Sequence, residues 1–186
     1  LGAELHVQAE FETAHPLATL NANGRYFLLE LPLAGMGQRG EDLFFKLALD
    51  GRTPILAHPE RNLALMRSPD LIEALVRRGV MMQVNAGSLL GRFGRKVRGT
   101  AFRMMDGRLV HFIASDAHGL HSRPPGLKEA RDLVAGRWGS DTAERLFRSQ
   151  PEKAVRGEPI PIEEPLSVKD KKGAGRRFFF SIRRMR

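Results

Sequence analysis

Apolar residues recur along this chain in two alternating rhythms. Short β-leaning runs, Tyr26 to Leu31, Pro54 to Ala57, Val80 to Asn85 and Leu109 to Ala114, read as strands. Between them the spacing predicts helices over Gly40 to Leu49, Pro69 to Arg78 and Val97 to Met105, with two more near Leu127 to Ala135 and Asp141 to Ser149. Such alternation is the signature of βα units around a mostly parallel sheet, an α/β fold.

The helix after Ser68 has both limits written in the sequence. Ser68 is a capping type, Pro69 suits a first helical position, and Gly79 can take the left-handed C-terminal conformation. Leu71, Ile72, Leu75 and Val76 are its expected buried face, and Met81, Met82, Met104 and Met105 read as core filling. Apolar periodicity fades after Pro151, and Glu158 to Pro165 is rich in proline and glutamate, so it reads as a linker. The expected organisation is a domain over 1–157, a linker over 158–168 and a basic tail over 169–186.

Composition changes this picture in three ways. A length of 186 residues with 42% hydrophobic content suits one domain with a sizeable core. The absence of cysteine excludes disulfides and a cysteinyl-phosphate route, so any phosphatase built on this chain must activate water or another nucleophile. The net charge of +9 is uneven: eight Lys or Arg and one Asp lie between Lys169 and Arg186, which leaves the body close to neutral and weakens a nucleic-acid reading. That tail, with Phe178, Phe179 and Phe180, could lie on anionic lipid, bind an acidic partner or stay disordered. No apolar run reaches the roughly 18 residues of a membrane span, and no signal-peptide pattern opens the chain, so a cytoplasmic protein is expected, at the membrane surface if the tail binds lipid. The start at Leu1 reads as a truncated N-terminus.

Ligand-type residues stand where the predicted strands stop. His58 closes one strand, Asn85 the next, and Asp116 with His118 the last. In parallel α/β barrels the carboxyl ends of the strands converge on the active site. Asp116-Ala117-His118 alone fits either a pair of metal ligands or a turn with a hydrogen-bonded histidine. Arg61, in His58-Pro59-Glu60-Arg61, fits either bidentate phosphate binding or a salt bridge to Glu60 or a helix end. Glu30, at another strand end, fits a supporting carboxylate or a surface position. His6, His15, His111 and His121 read as ordinary polar positions.

Gly35-Met36-Gly37-Gln38-Arg39-Gly40 also fits the glycine fingerprint of dinucleotide binding. Pro32 interrupts the approach, and the next strand ends in His58 rather than an acidic ribose ligand. A loop near a barrel mouth is the competing reading.

Taken together, Gly2-Ala3-Glu4, Ala57 to Arg61, Gln83 to Ser88 with Gly91 to Gly94, and Ser115 to His118 resemble the PHP-domain protein-tyrosine phosphatases of bacterial capsule and exopolysaccharide loci. The resemblance covers Leu1 to about Pro151. It implies a distorted (β/α) TIM-like barrel of the polymerase and histidinol phosphatase type, here partial and missing its first βα units. It also implies a cluster of up to three metal ions, manganese in this family, with iron or zinc compatible with the same donors. Glu4, His58, Asp116 and His118 match the family's metal ligands, and Arg61 and Arg123 match residues that hold the phosphate. The implied partner is a phosphotyrosine protein, a membrane-anchored bacterial tyrosine autokinase. The family's Asp-x-His-x-His motif has no counterpart here, so the resemblance implies that this segment alone hydrolyses phosphotyrosine poorly. Two further readings remain at this level: another PHP phosphoesterase, resembling histidinol phosphatase or a polymerase-associated nuclease domain, and a non-catalytic remnant that binds the kinase tail.

Overall fold

The computed structural model describes residues 4–6, 18–33, 43–44, 46–119 and 125–166. Five strands form one parallel sheet in sequential order: β1 (Glu4–His6), β2 (Tyr26–Glu30), β3 (Thr53–Ala57), β4 (Met81–Asn85) and β5 (Phe112–Ala114). Helices fill the connections: α1 (Leu63–Arg67), α2 (Pro69–Arg77), α3 (Ala86–Leu89), α4 (Arg95–Asp106), α5 (Lys128–Trp138), α6 (Ser140–Glu144) and α7 (Gln150–Arg156). Residues 43–44 and 46–49, within the first predicted helix, are helical as well.

Strand alternation divides the sheet into two faces with different duties. Phe27, Leu29, Leu56, Met82, Val84 and Ile113 point to one face, where they pack with Ile72, Leu75 and Val76 of α2, Ala101, Met104 and Met105 of α4, and Val134 of α5. Tyr26, Ile55, Met81 and Phe112 point to the other face and form a second, smaller cluster with Ala154 and Ile160. On that second face the register carries the side-chain series onward to His6, Glu30 and Asn85 at the carboxyl edge. Its amino end is therefore apolar and its carboxyl end polar.

Several boundaries differ from expectation for identifiable reasons. The strand expected from Leu109 begins at Phe112, because Arg108 N–H and Leu109 N–H are used to close α4 on Met105 O and Met104 O at 3.1 and 2.9 Å. Val80 likewise closes α2, with Gly79 at φ +90°, a conformation glycine takes without a Cβ penalty. Ser68 precedes Pro69 but makes no side-chain cap for α2; the side-chain cap in this stretch belongs to α1, where Asn62 Oδ1 accepts from Ala64 N–H and Leu65 N–H. Leu71 is 40% exposed, so the buried stripe of α2 is Ile72, Leu75 and Val76.

Helix continues past Ser149, where the last expected helix ends. A π-helical turn at Arg145–Ser149 precedes α7, and the proline sits in that helix's first turn. The wider turn accommodates the missing N–H and the ring, which a regular helix would not. Of the segment read as a linker, 158–168, the described part, 158–166, has no regular structure yet packs on the body. Glu158 O accepts from Tyr26 Oη at 2.6 Å, Ile160 is buried, and Leu166 N–H donates to Gly107 O at 3.0 Å. The basic tail of 169–186 lies outside the described residues. No helix among the described residues is long and apolar enough to cross a membrane.

Candidate functional site

The carboxyl edge of the sheet gathers side chains that are far apart in sequence. Glu30 ends β2, and its two oxygens face two imidazoles: His6 Nδ1 at 3.1 Å and His58 Nε2 at 3.3 Å. Asp116, past β5, receives Asn85 Nδ2–H at 2.8 Å and Arg61 Nη1–H at 3.4 Å on the same oxygen, Oδ2. His118 Nδ1–H donates to the backbone oxygen of Asp116 at 3.0 Å, and this sets a tautomer with the lone pair on Nε2.

Two of these positions are held in an unusual backbone. His58 has φ 35° and Asp116 φ 50°, the left-handed region that L residues enter at a cost of about 1–2 kcal/mol. Each stands just past a strand end, where the chain must leave the sheet sharply. The packing beneath therefore decides where these two side chains project.

Burial tunes the charges. His58 is 5% exposed, and this desolvation lowers its pKa, opposed by the Glu30 carboxylate; the neutral ring is favoured. Glu60 is fully buried, and burial pushes its pKa up to about 7 despite hydrogen bonds from Ser88 Oγ–H at 2.6 Å and Asn85 N–H at 3.0 Å, both to Oε1. Its Oε2 and the Oδ1 of Asn85 are buried without a hydrogen-bond partner. Arg61 does not pair with Glu60, the alternative weighed from sequence. Glu60 turns inward to clamp the start of α3, while Arg61 turns to Asp116 and lies 4.5 Å over the ring of Phe93.

The structure thus brings together His58, Arg61, Asp116 and His118 of the residues expected from sequence. Glu4 lies in β1, in register with Leu28, and Arg123 lies outside the described residues, as do His15, His121 and the loop 35–40. Sequence reasoning missed Glu60 and His6. A strand-end signal was available for His6 only through the β1 register, which pairs it with Glu30. Glu30, weighed as a supporting carboxylate, contacts two histidines directly. Asp116-Ala117-His118 forms the hydrogen-bonded turn and also presents its carboxylate to the cluster. His111 is a core acceptor: its Nδ1 receives Met82 N–H at 3.1 Å.

The described strands run without the order reversal at which a dinucleotide would bind, so the topology gives no support to that reading. A groove of about 560 Å³ lies at the opposite end of β5, lined in part by Asp106, Trp138, Arg145 and Glu163. Two polar pairs stand in its lining, Trp138 Nε1–H with Asp106 Oδ1 at 2.9 Å and Arg145 with Glu163 at 3.5 Å.

Donor chemistry at the carboxyl edge, neutral imidazole with carboxylate, suits manganese, iron or zinc. Among the described residues, however, no three His, Asp or Glu side chains are grouped so as to hold one ion; the donors meet as carboxylate-to-imidazole pairs.

These observations define a parallel α/β protein whose strands deliver acids, imidazoles and a guanidinium to one edge. The chain belongs to the family described as "Capsular polysaccharide synthesis, CpsB/CapC", whose model matches residues 1–156. It is 33% identical over 174 residues to the tyrosine-protein phosphatase YwqE of Bacillus subtilis, covering 92% of this chain and 68% of that protein. It is 44% identical over 105 residues to the putative tyrosine-protein phosphatase CapC of Staphylococcus aureus, covering 56% and 41%. It is 31% identical over 144 residues to the tyrosine-protein phosphatase CpsB of Streptococcus pneumoniae, covering 75% and 59%. A solved chain from the crystal structures of YwqE and CpsB, described as metal-dependent tyrosine phosphatases, superposes with a TM-score of 0.71 at 34% identity, over 76% of this chain and 57% of that one. The matches therefore span 41–68% of these proteins' lengths.

Proposed function

We propose that this chain carries part of a metal-dependent protein-tyrosine phosphatase site, set at the carboxyl edge of a partial (β/α) barrel of the PHP type. The observation that carries the reading is the convergence of His58, Arg61 and Asp116 onto one edge, with Arg61 and Asp116 55 positions apart in sequence and Arg61 Nη1 3.4 Å from Asp116 Oδ2. The sequential parallel order and the division into a helix-covered face and a second face with a polar carboxyl end support the barrel.

In this reading Glu4, His58, Asp116 and His118 would hold metal, and Glu30, which contacts His58, would join them. Manganese is the proposed ion, and iron or zinc suits the same donors. At these residues a bound metal would supply Lewis acidity toward phosphoryl oxygens and would lower the pKa of water. Arg61 holds the phosphate: one of its five N–H donors engages Asp116, and a planar guanidinium can present others as a pair to phosphoryl oxygens. Asn85 orients Asp116 through its amide, and Arg123 adds a second cation. The proposed substrate is the phosphotyrosine tail of a membrane-anchored tyrosine autokinase, dephosphorylated at the cytoplasmic surface of the membrane, and the domain ends where the strap over 158–166 closes on it.

The test is phosphate release by the full-length protein, with manganese, from a phosphotyrosine peptide, a phosphoserine peptide, histidinol phosphate and single-stranded DNA. Selective release from phosphotyrosine, lost in Arg61→Ala, is expected. Preferential turnover of histidinol phosphate or DNA overturns the reading in favour of another PHP phosphoesterase. Binding of phosphotyrosine peptide without turnover by any metal form overturns it in favour of a non-catalytic binder.

A further inference from the structure

A groove of about 300 Å³ separates α1 from α4, lined by Leu63, Met66, Arg67, Lys96, Thr100 and Arg103. Leu63 and Met66 give it an apolar wall, and Leu63 is 50% exposed. Arg67, Lys96 and Arg103 stand exposed on its rim, and no carboxylate lines it. The nearby ion pairs lie elsewhere, at Arg92 with Glu129 (3.3 Å) and Arg137 with Asp106 (4.0 Å). Arg103 Nη2–H donates to Thr100 Oγ1 at 2.9 Å, a neutral partner. The three rim cations thus have no acidic partner among the described residues.

The groove's place in the fold gives that charge a direction. α1 begins two residues after Arg61, and α4 begins two residues after Phe93, whose ring packs under the Arg61 guanidinium. The groove therefore starts beside the residue proposed to hold phosphate and leads away from it along α4. A chain whose phosphotyrosine sat at Arg61 would have its flanking residues within reach of this channel.

We propose that the groove docks the polypeptide next to the phosphotyrosine, and that it selects segments carrying Asp or Glu beside an apolar side chain. Apolar contact with Leu63 and Met66 and charge pairing with Arg67, Lys96 and Arg103 are the two elements of recognition. Single-stranded nucleic acid fits less well, because no aromatic ring lines the channel for bases to stack on. A lipid surface is planar, whereas these cations surround a concavity. The proposal rests on the phosphatase reading for what occupies Arg61, but the groove's preference for an acidic chain is a property of its own lining.

Fluorescence anisotropy with labelled peptides tests it on the 186-residue chain. Four probes suffice: a phosphotyrosine peptide with Asp and Leu on one flank, the same peptide with Lys for Asp, and the unphosphorylated form of each. The acidic phosphopeptide should bind about tenfold more tightly than the basic one, from a few exposed charge pairs acting together. The difference should shrink as salt rises and vanish in Arg67→Glu/Lys96→Glu, with Arg103→Ala giving a partial loss. The unphosphorylated acidic peptide should keep a weaker version of the same preference. If only that preference survives, the groove stands and the phosphotyrosine reading falls. Equal affinity for acidic and basic flanks, or a preference unchanged in both variants, overturns the groove proposal. So does binding of phosphatidylglycerol vesicles that needs Arg67 and Lys96 while the peptides show no charge preference.

Discussion

Arg61 and Asp116 lie 55 residues apart in sequence and 3.4 Å apart in space, and Asn85 donates to the same Asp116 oxygen at 2.8 Å. The exits of β3 and β5 and the last residue of β4 are tied together at this one carboxylate oxygen. Each contact is single and directional, so changing one partner alters the aim of the others without emptying the core.

Arg61→Lys keeps the charge and loses the planar fork. We expect binding of inorganic phosphate or of a phosphotyrosine peptide to weaken about 10- to 100-fold, with a thermal midpoint within a few degrees of wild type. Isothermal titration calorimetry with a melting curve checks both. Retained affinity would remove Arg61 from phosphate binding.

Glu60 is a buried clamp: its Oε1 accepts from Asn85 N–H and Ser88 Oγ–H. Glu60→Ala leaves those donors unpaired and opens a cavity, a loss of about 2–4 kcal/mol. Glu60→Gln retains an acceptor in the same place and should lose much less. Urea unfolding of the two variants measures the contrast, and equal losses would show that the hydrogen bonds contribute little.

His111 supplies a pH dependence far from the cluster. Burial, helped by the charge of Arg145, lowers its pKa from 6.5 to about 4. Below pH 6.5 the unfolded chain takes up a proton that the folded chain refuses. Stability is therefore full above 6.5, falls as pH drops toward 4, and levels below that; the whole window is worth about 3 kcal/mol. His111→Asn, whose Oδ1 can accept from Met82 N–H, should flatten this window in urea titrations run from pH 4 to 7. An unchanged slope would assign the dependence to other groups.

The strap over 158–166 should stabilise the second face of the sheet. Tyr26→Phe loses the hydrogen bond to Glu158 O and should cost about 1 kcal/mol. Ending the chain at Gly157 also removes the buried Ile160 from contact with Tyr26, Ile55 and Met81, and should cost more. Comparison of thermal midpoints decides this. A truncation no worse than the point change would make the strap a passive linker.

The sequence by itself determined the alternation of strands and helices, the cysteine-free chemistry and the strand-end places of His58, Asn85 and Asp116. These follow from local rules: period, cap and breaker residues act within a few positions, so they can be read without the fold. Even here Ser68 and the helix end expected at Ser149 misled, because a cap depends on whether the side chain turns back, and a proline in a first helical turn depends on the turn before it.

Tertiary structure alone decided the partners. Glu60 and Arg61 are neighbours in sequence, yet one is fully buried and the other pairs with Asp116, because the turn after β3 points them in opposite directions. His6 and Glu30 meet through strand register, and Ile160 is core because an irregular segment crosses the apolar end of the sheet. Contacts between distant segments depend on register, direction of turn and burial. None of these is encoded at a single position.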